Sequence, residues 1–140
     1  HAIEPTFGLD RTILAVLVSA YREDVMGEGD EARVYLKLAP SVAPVIACVS
    51  PLLKNKPELV EYARGVFAKL KTTYGRIMWD DNGNIGKRYR RQDEIGTPWT
   101  IVIDFDTLEN NTVTVRDRDT GAQERLSVGD LEAFINGKLS

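Results

Sequence analysis

VIACVS, from Val45 to Ser50, is a continuous apolar run, short enough for a buried strand. The segments after it decide the fold. Pro57–Thr73 sets Leu59, Val60, Ala63, Val66, Phe67 and Leu70 on one face, an amphipathic helix that begins at a proline. Arg76–Trp79 reads as a second short strand and Ile85–Ile95 as a second helix. Trp99–Phe105 alternates and is rich in β-formers, a third strand. Thr112–Arg118 and Gln123–Val128 flank the turn Asp119-Thr120-Gly121, a hairpin signal, and Asp130–Leu139 closes the chain as a short helix. Strand–helix–strand–helix–strand implies parallel pairing through right-handed crossovers, to which the hairpin adds antiparallel strands. The expected fold class is α/β: three layers, α/β/α, on a five-stranded mixed sheet with helices on both faces.

Two segments precede this unit of residues 45–140. Residues 1–24 open with a Pro-containing stretch and become an apolar helix, with Ile13, Leu14, Leu17, Val18 and Tyr21 at helical spacing. Residues 25–44 begin with the run MGEGDE and end at SVAP. They are expected to form a mobile loop, with Glu28–Glu31 as solvated linker, and then an extended connection, because Pro40 and Pro44 restrict the residues before them. A chain of 140 residues can bury a full core, and 43% hydrophobic with 28% charged residues describes an ordinary soluble globular protein. No apolar stretch is long enough to span a bilayer, and no signal peptide or Arg-rich presequence leads the chain, so no membrane partner is expected. Cys48, the one cysteine, reads as a buried core residue, excludes an internal disulfide and fits a reducing compartment. The one histidine is His1, which argues against Ser-His-Asp or Cys-His catalysis and against a His-based zinc site.

The chain is acidic, with 18 Lys+Arg against 21 Asp+Glu and a net charge of −3. Against that background Lys87, Arg88, Arg90 and Arg91, interrupted only by Tyr89, form a local patch of the kind that meets a polyanion. The patch follows the turn Asp80–Asn84, so it falls in the first turns of a helix, where exposed N–H groups add to the positive field. Arg90 has an alternative use, pairing with Asp93 or Glu94 on its own helix. In Arg116-Asp117-Arg118-Asp119 the arginines share one side of a strand and the aspartates the other, facing either a ligand or cross-strand partners such as Glu124 and Arg125. Asp104 and Asp106 read as turn caps or Arg partners, not as metal ligands, and no metal site is expected. Trp79 and Trp99 read as packing residues. In Glu4–Arg11, Gly8 permits a turn or close ligand approach, and Arg11 projects from the first turn of the next helix, either as a phosphate ligand or as a solvated partner of Asp10 or Glu4.

The stretch IEPTFGLDRTILAVL, from Ile3, resembles motif 3 of class II aminoacyl-tRNA synthetases in the form found in glycyl-tRNA synthetases. IGKRYRRQDEIGTP, from Ile85, and IVIDFDTLENNTVTVRDRDT, from Ile101, are similar to stretches of that family's carboxy-terminal anticodon-binding domain. Three motifs in order over nearly the whole chain make the resemblance specific. It implies a motif 3 strand and helix in residues 1–24, then a linker, then an anticodon-binding domain over residues 45–140. Motifs 1 and 2 have no counterpart, so the chain is expected to be a carboxy-terminal portion that is inactive alone and holds no cofactor.

The resemblance also implies roles. Arg11 matches the motif 3 arginine that holds ATP and counts as catalytic; Gly8, Leu9 and Asp10 accompany it at the nucleotide. Glu4, Pro5, Thr6, Phe7 and Gly8 match the glycine-binding positions, where a carboxylate pairs with the ammonium group. Thr6 stands where serine is more usual. The parent would ligate glycine to tRNA-Gly with ATP and Mg²⁺, as a cytoplasmic homodimer. Lys87, Arg88 and Arg91 are the expected phosphate and loop contacts on the anticodon stem-loop. Arg116, Asp117 and Asp119 are expected beside them, since a carboxylate accepts from the amine of cytosine and an arginine donates to its O2 and N3. The alternative is a stand-alone RNA- or protein-binding module without ligase activity; an adaptor has no reason to keep Glu4–Arg11, which favours the ligase.

Overall fold

The computed structural model describes residues 2–26 and 31–140. Helix α1 (Leu9–Ala20) leads into strands β1 (Tyr21–Asp24) and β2 (Arg33–Leu36), then β3 (Ala47–Pro51), helix α2 (Pro57–Tyr74) and β4 (Ile77–Trp79). Helix α3 (Ile85–Ile95), β5 (Trp99–Ile103), α4 (Phe105–Asn110), β6 (Thr112–Asp117), β7 (Gln123–Ser127) and α5 (Leu131–Leu139) complete the chain. The five-stranded sheet runs β4-β3-β5-β6-β7, with β3 parallel to β4 and β5 and the remaining pairs antiparallel, the expected mixed sheet.

Strand alternation divides the sheet into two unlike faces. Ala47, Val49, Ile77, Trp99, Ile101, Ile103, Val113 and Val115 form one core with Leu59, Ala63, Val66 and Leu70 of α2 and Leu131 and Ile135 of α5. Pro57 opens α2 at its first turn and Gly75, at φ 71°, closes it. Trp99 packs edge-on against Phe134, and Trp79 against Phe67 with Arg64 over its ring, so both tryptophans are packing residues. The opposite face offers Cys48, Ser50, Thr100 and Arg116, and α3 covers it with a polar stripe of its own, the buried Arg88, Gln92 and Asp93. Burial pushes the Cys48 thiol up to about 12, so it is an inert core residue.

The amino-terminal quarter differs from its sequence reading. The helix ends at Ala20; Tyr21 is extended and begins β1, which pairs antiparallel with β2 as Tyr21↔Leu36 through Asp24↔Arg33. Residues 2–8 form no strand. The connection expected as an open linker instead holds β2 and docks on the domain, where Leu38 and Ala43 bury against Ala20. Arg118 Nη2 donates to the Leu38 carbonyl at 2.9 Å and Arg76 Nη1 to that of Ala43 at 2.7 Å. Gly96, the left-handed cap of α3 at φ 83°, makes this approach possible, because a Cβ there would lie 2.7 Å from Leu38 Cδ1. Residues 27–30, most of the acidic stretch read as solvated linker, and His1 lie outside the described residues. β5 stops at Ile103, short of the expected Phe105, because Asp104 caps α4 in a reciprocal box with Thr107.

Candidate nucleic-acid interface

Helix α3 distributes its basic run around its circumference. The Asn84 side chain accepts from Lys87 N at 2.9 Å and starts the helix; Lys87 itself is exposed. Arg88 points inward and is 2% exposed. It donates to Ser50 Oγ at 2.8 Å, to the Pro51 carbonyl, and to the Gly83 carbonyl at 2.8 and 3.2 Å. This corrects the expectation of an RNA contact: Arg88 fastens α3 to the carboxyl end of β3. Arg91 is held by Asp80, Nε to Oδ2 at 3.1 Å and Nη2 to Oδ1 at 2.8 Å, which leaves it partly exposed but committed. Arg90 pairs across the cleft with Glu31 at 3.4 Å, not with Asp93 or Glu94.

Asp93 faces the sheet. Its Oδ1 accepts from Arg116 Nη1 at 2.8 Å, and its Oδ2 from Arg116 Nη2 at 3.1 Å and Arg33 Nη1 at 3.0 Å. Arg116, expected as a free RNA contact, is therefore buried in an ion-pair network, with the Tyr89 ring 4.6 Å from its guanidinium carbon. Above this network lies a cleft of about 440 Å³ between α3 and the β1–β2 hairpin, lined by Met26, Arg33, Tyr89, Arg90, Asp93 and Arg116. Asp117 and Asp119 lie elsewhere. Asp117 Oδ1 accepts from the N–H groups of Asp119 and Thr120 at 2.8 and 3.0 Å, and Asp119 accepts from Arg118 Nε at 2.9 Å. Both hold the β6–β7 turn beside a second cleft of about 380 Å³ that also meets Lys37 and Lys138. The six residues expected at the RNA thus fall into separate places.

Sequence reasoning passed over Tyr89 and Arg33. Tyr89 had a signal, an aromatic inside a basic run, the pairing that suits stacked bases. Arg33 had none, since its partner Asp93 is 60 residues away. Glu4, Pro5, Thr6, Phe7, Gly8, Leu9, Asp10 and Arg11 are all exposed and distant in role from the cleft; Gly8 caps α1 and its carbonyl accepts from Thr12 N.

The anticodon binding domain model matches residues 46–138. The chain belongs to the anticodon-binding domain family. The domain and its preceding segment are 51% identical to the glycine–tRNA ligase of Alkaliphilus metalliredigens over 99% of the chain, and 45% identical to that of Thermus thermophilus over 99%. In each case the chain spans 29% of the relative's length. Among solved structures, the RNA binding domain of threonyl-tRNA synthetase from Cryptosporidium parvum Iowa II superposes with a TM-score of 0.65 at 26% identity, over 73% of this chain and 25% of that one.

Three carboxylates, Asp24, Asp80 and Asp104, are held below the ordinary carboxylate range. Burial opposes the charge on Asp80, but Arg91, the Asn82 N–H and Gln92 outweigh it and lower its pKa. Burial likewise opposes Asp104, where Arg125 and Thr107 prevail, bearing out its reading as a cap and Arg partner. Asp24 is lowered by its hydrogen bonds from Arg33. Each folded-state pKa lies below the ordinary 3.8, so the unfolded chain binds more protons and stability rises with pH through that range. Urea midpoints should be flat from neutrality to about pH 5 and fall below about pH 4. In Asp80→Asn the fall should be shallower; an equal slope in parent and variant would remove Asp80 from this account.

No helix of the described residues is long and apolar enough to cross a membrane. Among the described residues no cluster of three or more His, Cys, Asp or Glu is arranged to hold a metal ion. Arg11 is different. Its guanidinium is exposed at the first turn of α1, where a cation and helix N–H groups suit a phosphate.

Proposed function

We propose that the chain is the carboxy-terminal part of a glycine–tRNA ligase and that the cleft beneath Tyr89 takes the anticodon loop of tRNA-Gly. The observation that carries this is the Tyr89–Arg116 pair, 4.6 Å apart, in a cleft rimmed by the exposed Arg90 on a domain whose relatives are ligases. A splayed base stacks on the Tyr89 ring, while Lys87 and Arg90 draw the loop phosphates. Arg116 spends Nη1 and Nη2 on Asp93 but lines the cleft, and its remaining N–H groups suit the O2 and N3 of cytosine.

In the parent reaction ATP supplies the leaving group that activates glycine as its adenylate, before glycine passes to the tRNA's terminal ribose. Glu4, with Pro5, Thr6 and Phe7, would meet the glycine; Arg11, with Gly8, Leu9 and Asp10, would hold the nucleotide phosphates by charge. Their exposure, and that of Ile13, Leu14 and Val18, fits a helix completed by the remainder of such a ligase, a homodimer acting in the cytoplasm with Mg²⁺.

Fluorescence titration of the chain with a tRNA-Gly anticodon stem-loop tests the cleft. Tyr89→Ala should cost about 1–3 kcal/mol of binding with the salt slope unchanged. Lys87→Ala should weaken binding for all sequences and lower the salt slope by about 1. Parental affinity in both variants would exclude the cleft as the RNA site.

A further inference from the structure

The family match begins at residue 46, yet one wall of the cleft comes from before it: Arg33 opens β2 and Met26 lies two residues beyond β1. Two contacts fix that wall. Arg33 uses its whole guanidinium, with Nε and Nη2 on the Asp24 carboxylate at 2.6 and 3.0 Å and Nη1 on Asp93 Oδ2 at 3.0 Å. Its Nη1 and Nη2 also donate to the Arg118 and Asp119 carbonyls at 2.6 and 3.1 Å. Met26 provides the second contact: Arg116 Nη2 reaches its Sδ at 3.6 Å, and a Cβ on Gly121 would lie 1.5 Å from its Cε.

Arg33 is 7% exposed and its donors are all taken, so it has nothing left for RNA. What it controls is geometry. Asp93 Oδ2 is shared between Arg33 and Arg116, so Arg33 limits how far the carboxylate and the Arg116 guanidinium rotate. Reading a base edge requires donors in a fixed plane, whereas attraction of phosphates to rim cations tolerates movement. Removing Arg33 should therefore damage discrimination between bases and spare the charge-driven part of binding.

We propose that the β1–β2 hairpin is the specificity wall of the RNA cleft, and that Arg33 is the positioning residue that holds it and, through Asp93, sets the plane of Arg116. The proposal rests on the cleft being the anticodon site. Its test is anisotropy titration of the full chain across salt concentrations, with a tRNA-Gly anticodon stem-loop and one whose anticodon cytosines are changed, for the parent, Arg33→Gln and Asp24→Asn. Asp24→Asn leaves the Arg33–Asp93 pair in place and loosens only the hairpin end, so it carries the test if Arg33→Gln does not fold. In Arg33→Gln the parental discrimination ratio should fall about tenfold, the effect of one lost bidentate base contact, with the salt slope unchanged. Asp24→Asn should move the ratio in the same direction by less. An unchanged ratio in the folded variants overturns the proposal, as does a lowered salt slope with the ratio kept, which would make Arg33 a simple cation. A parent that fails to bind or to discriminate removes the anticodon reading itself, a result distinct from a discriminating parent indifferent to Arg33.

Discussion

Asp93→Ala should destabilise the folded chain by about 3–5 kcal/mol, the usual cost of removing one partner from a buried ion pair. The Asp93 side chain is 4% exposed and stands between two guanidiniums, each 7% exposed, that share its oxygens. With the carboxylate gone, among the described residues Arg116 keeps no direct ion pair and Arg33 keeps the one with Asp24. Water entering from the cleft replaces only part of the loss, because both guanidiniums remain buried. Asp93→Asn should be nearly as costly, since its amide turns two donors toward arginines that need an acceptor. The double variant Asp93→Ala/Arg116→Met should recover part of the loss by removing the orphaned charge, and a double-mutant cycle in urea would measure that coupling. A single-variant loss below about 1 kcal/mol would mean the network contributes nothing net. Apolar replacement of a whole buried network is often neutral or stabilising, so the persistence of four charges here is better explained by the cleft they floor than by stability.

The parallel strands were legible because they are short, apolar and separated by helices, and α3 was placed at its observed ends after the turn that precedes it. The apolar face under α2 followed directly from Leu59, Ala63, Val66 and Leu70. The polar face did not. A basic run on an acidic chain reads as a solvated patch, and only three-dimensional packing reveals that one turn of it, Arg88 to Gln92, points at Ser50 and Asp80. Local pattern distinguishes apolar from polar faces, so it fails where a helix buries a polar stripe against polar strand positions. The hairpin was missed for a related reason: β1 and β2 are four residues each, β1 is mostly charged, and their partners, Asp93, Gly96 and Arg118, lie far along the chain. Only the tight fit at Gly96 bears on sequence, and a glycine after a helix reads as a cap whether or not a strand leans on it.

Arg88→Met is the second large effect, about 2–4 kcal/mol, and it separates stability from RNA binding. Methionine retains most of the buried length but none of the donors. Ser50 Oγ and the Pro51 carbonyl then lose a buried partner, at about 1–3 kcal/mol each and less where the chain relaxes, while the Gly83 carbonyl lies near the surface and can turn to water. No carboxylate pairs with Arg88 among the described ion pairs, so its removal frees no buried anion, which sets this loss below that of Asp93→Ala. Under conditions where the variant remains folded, its affinity for the stem-loop should stay within about twofold of the parent with the same salt slope, because a cation sealed against β3 releases no counterion. Lys87→Ala, one position earlier, should behave oppositely: parental urea midpoint and a reduced slope. If Arg88→Met kept parental stability while losing the slope, Arg88 would have to face solvent, and the polar core between α3 and β3 would be wrong.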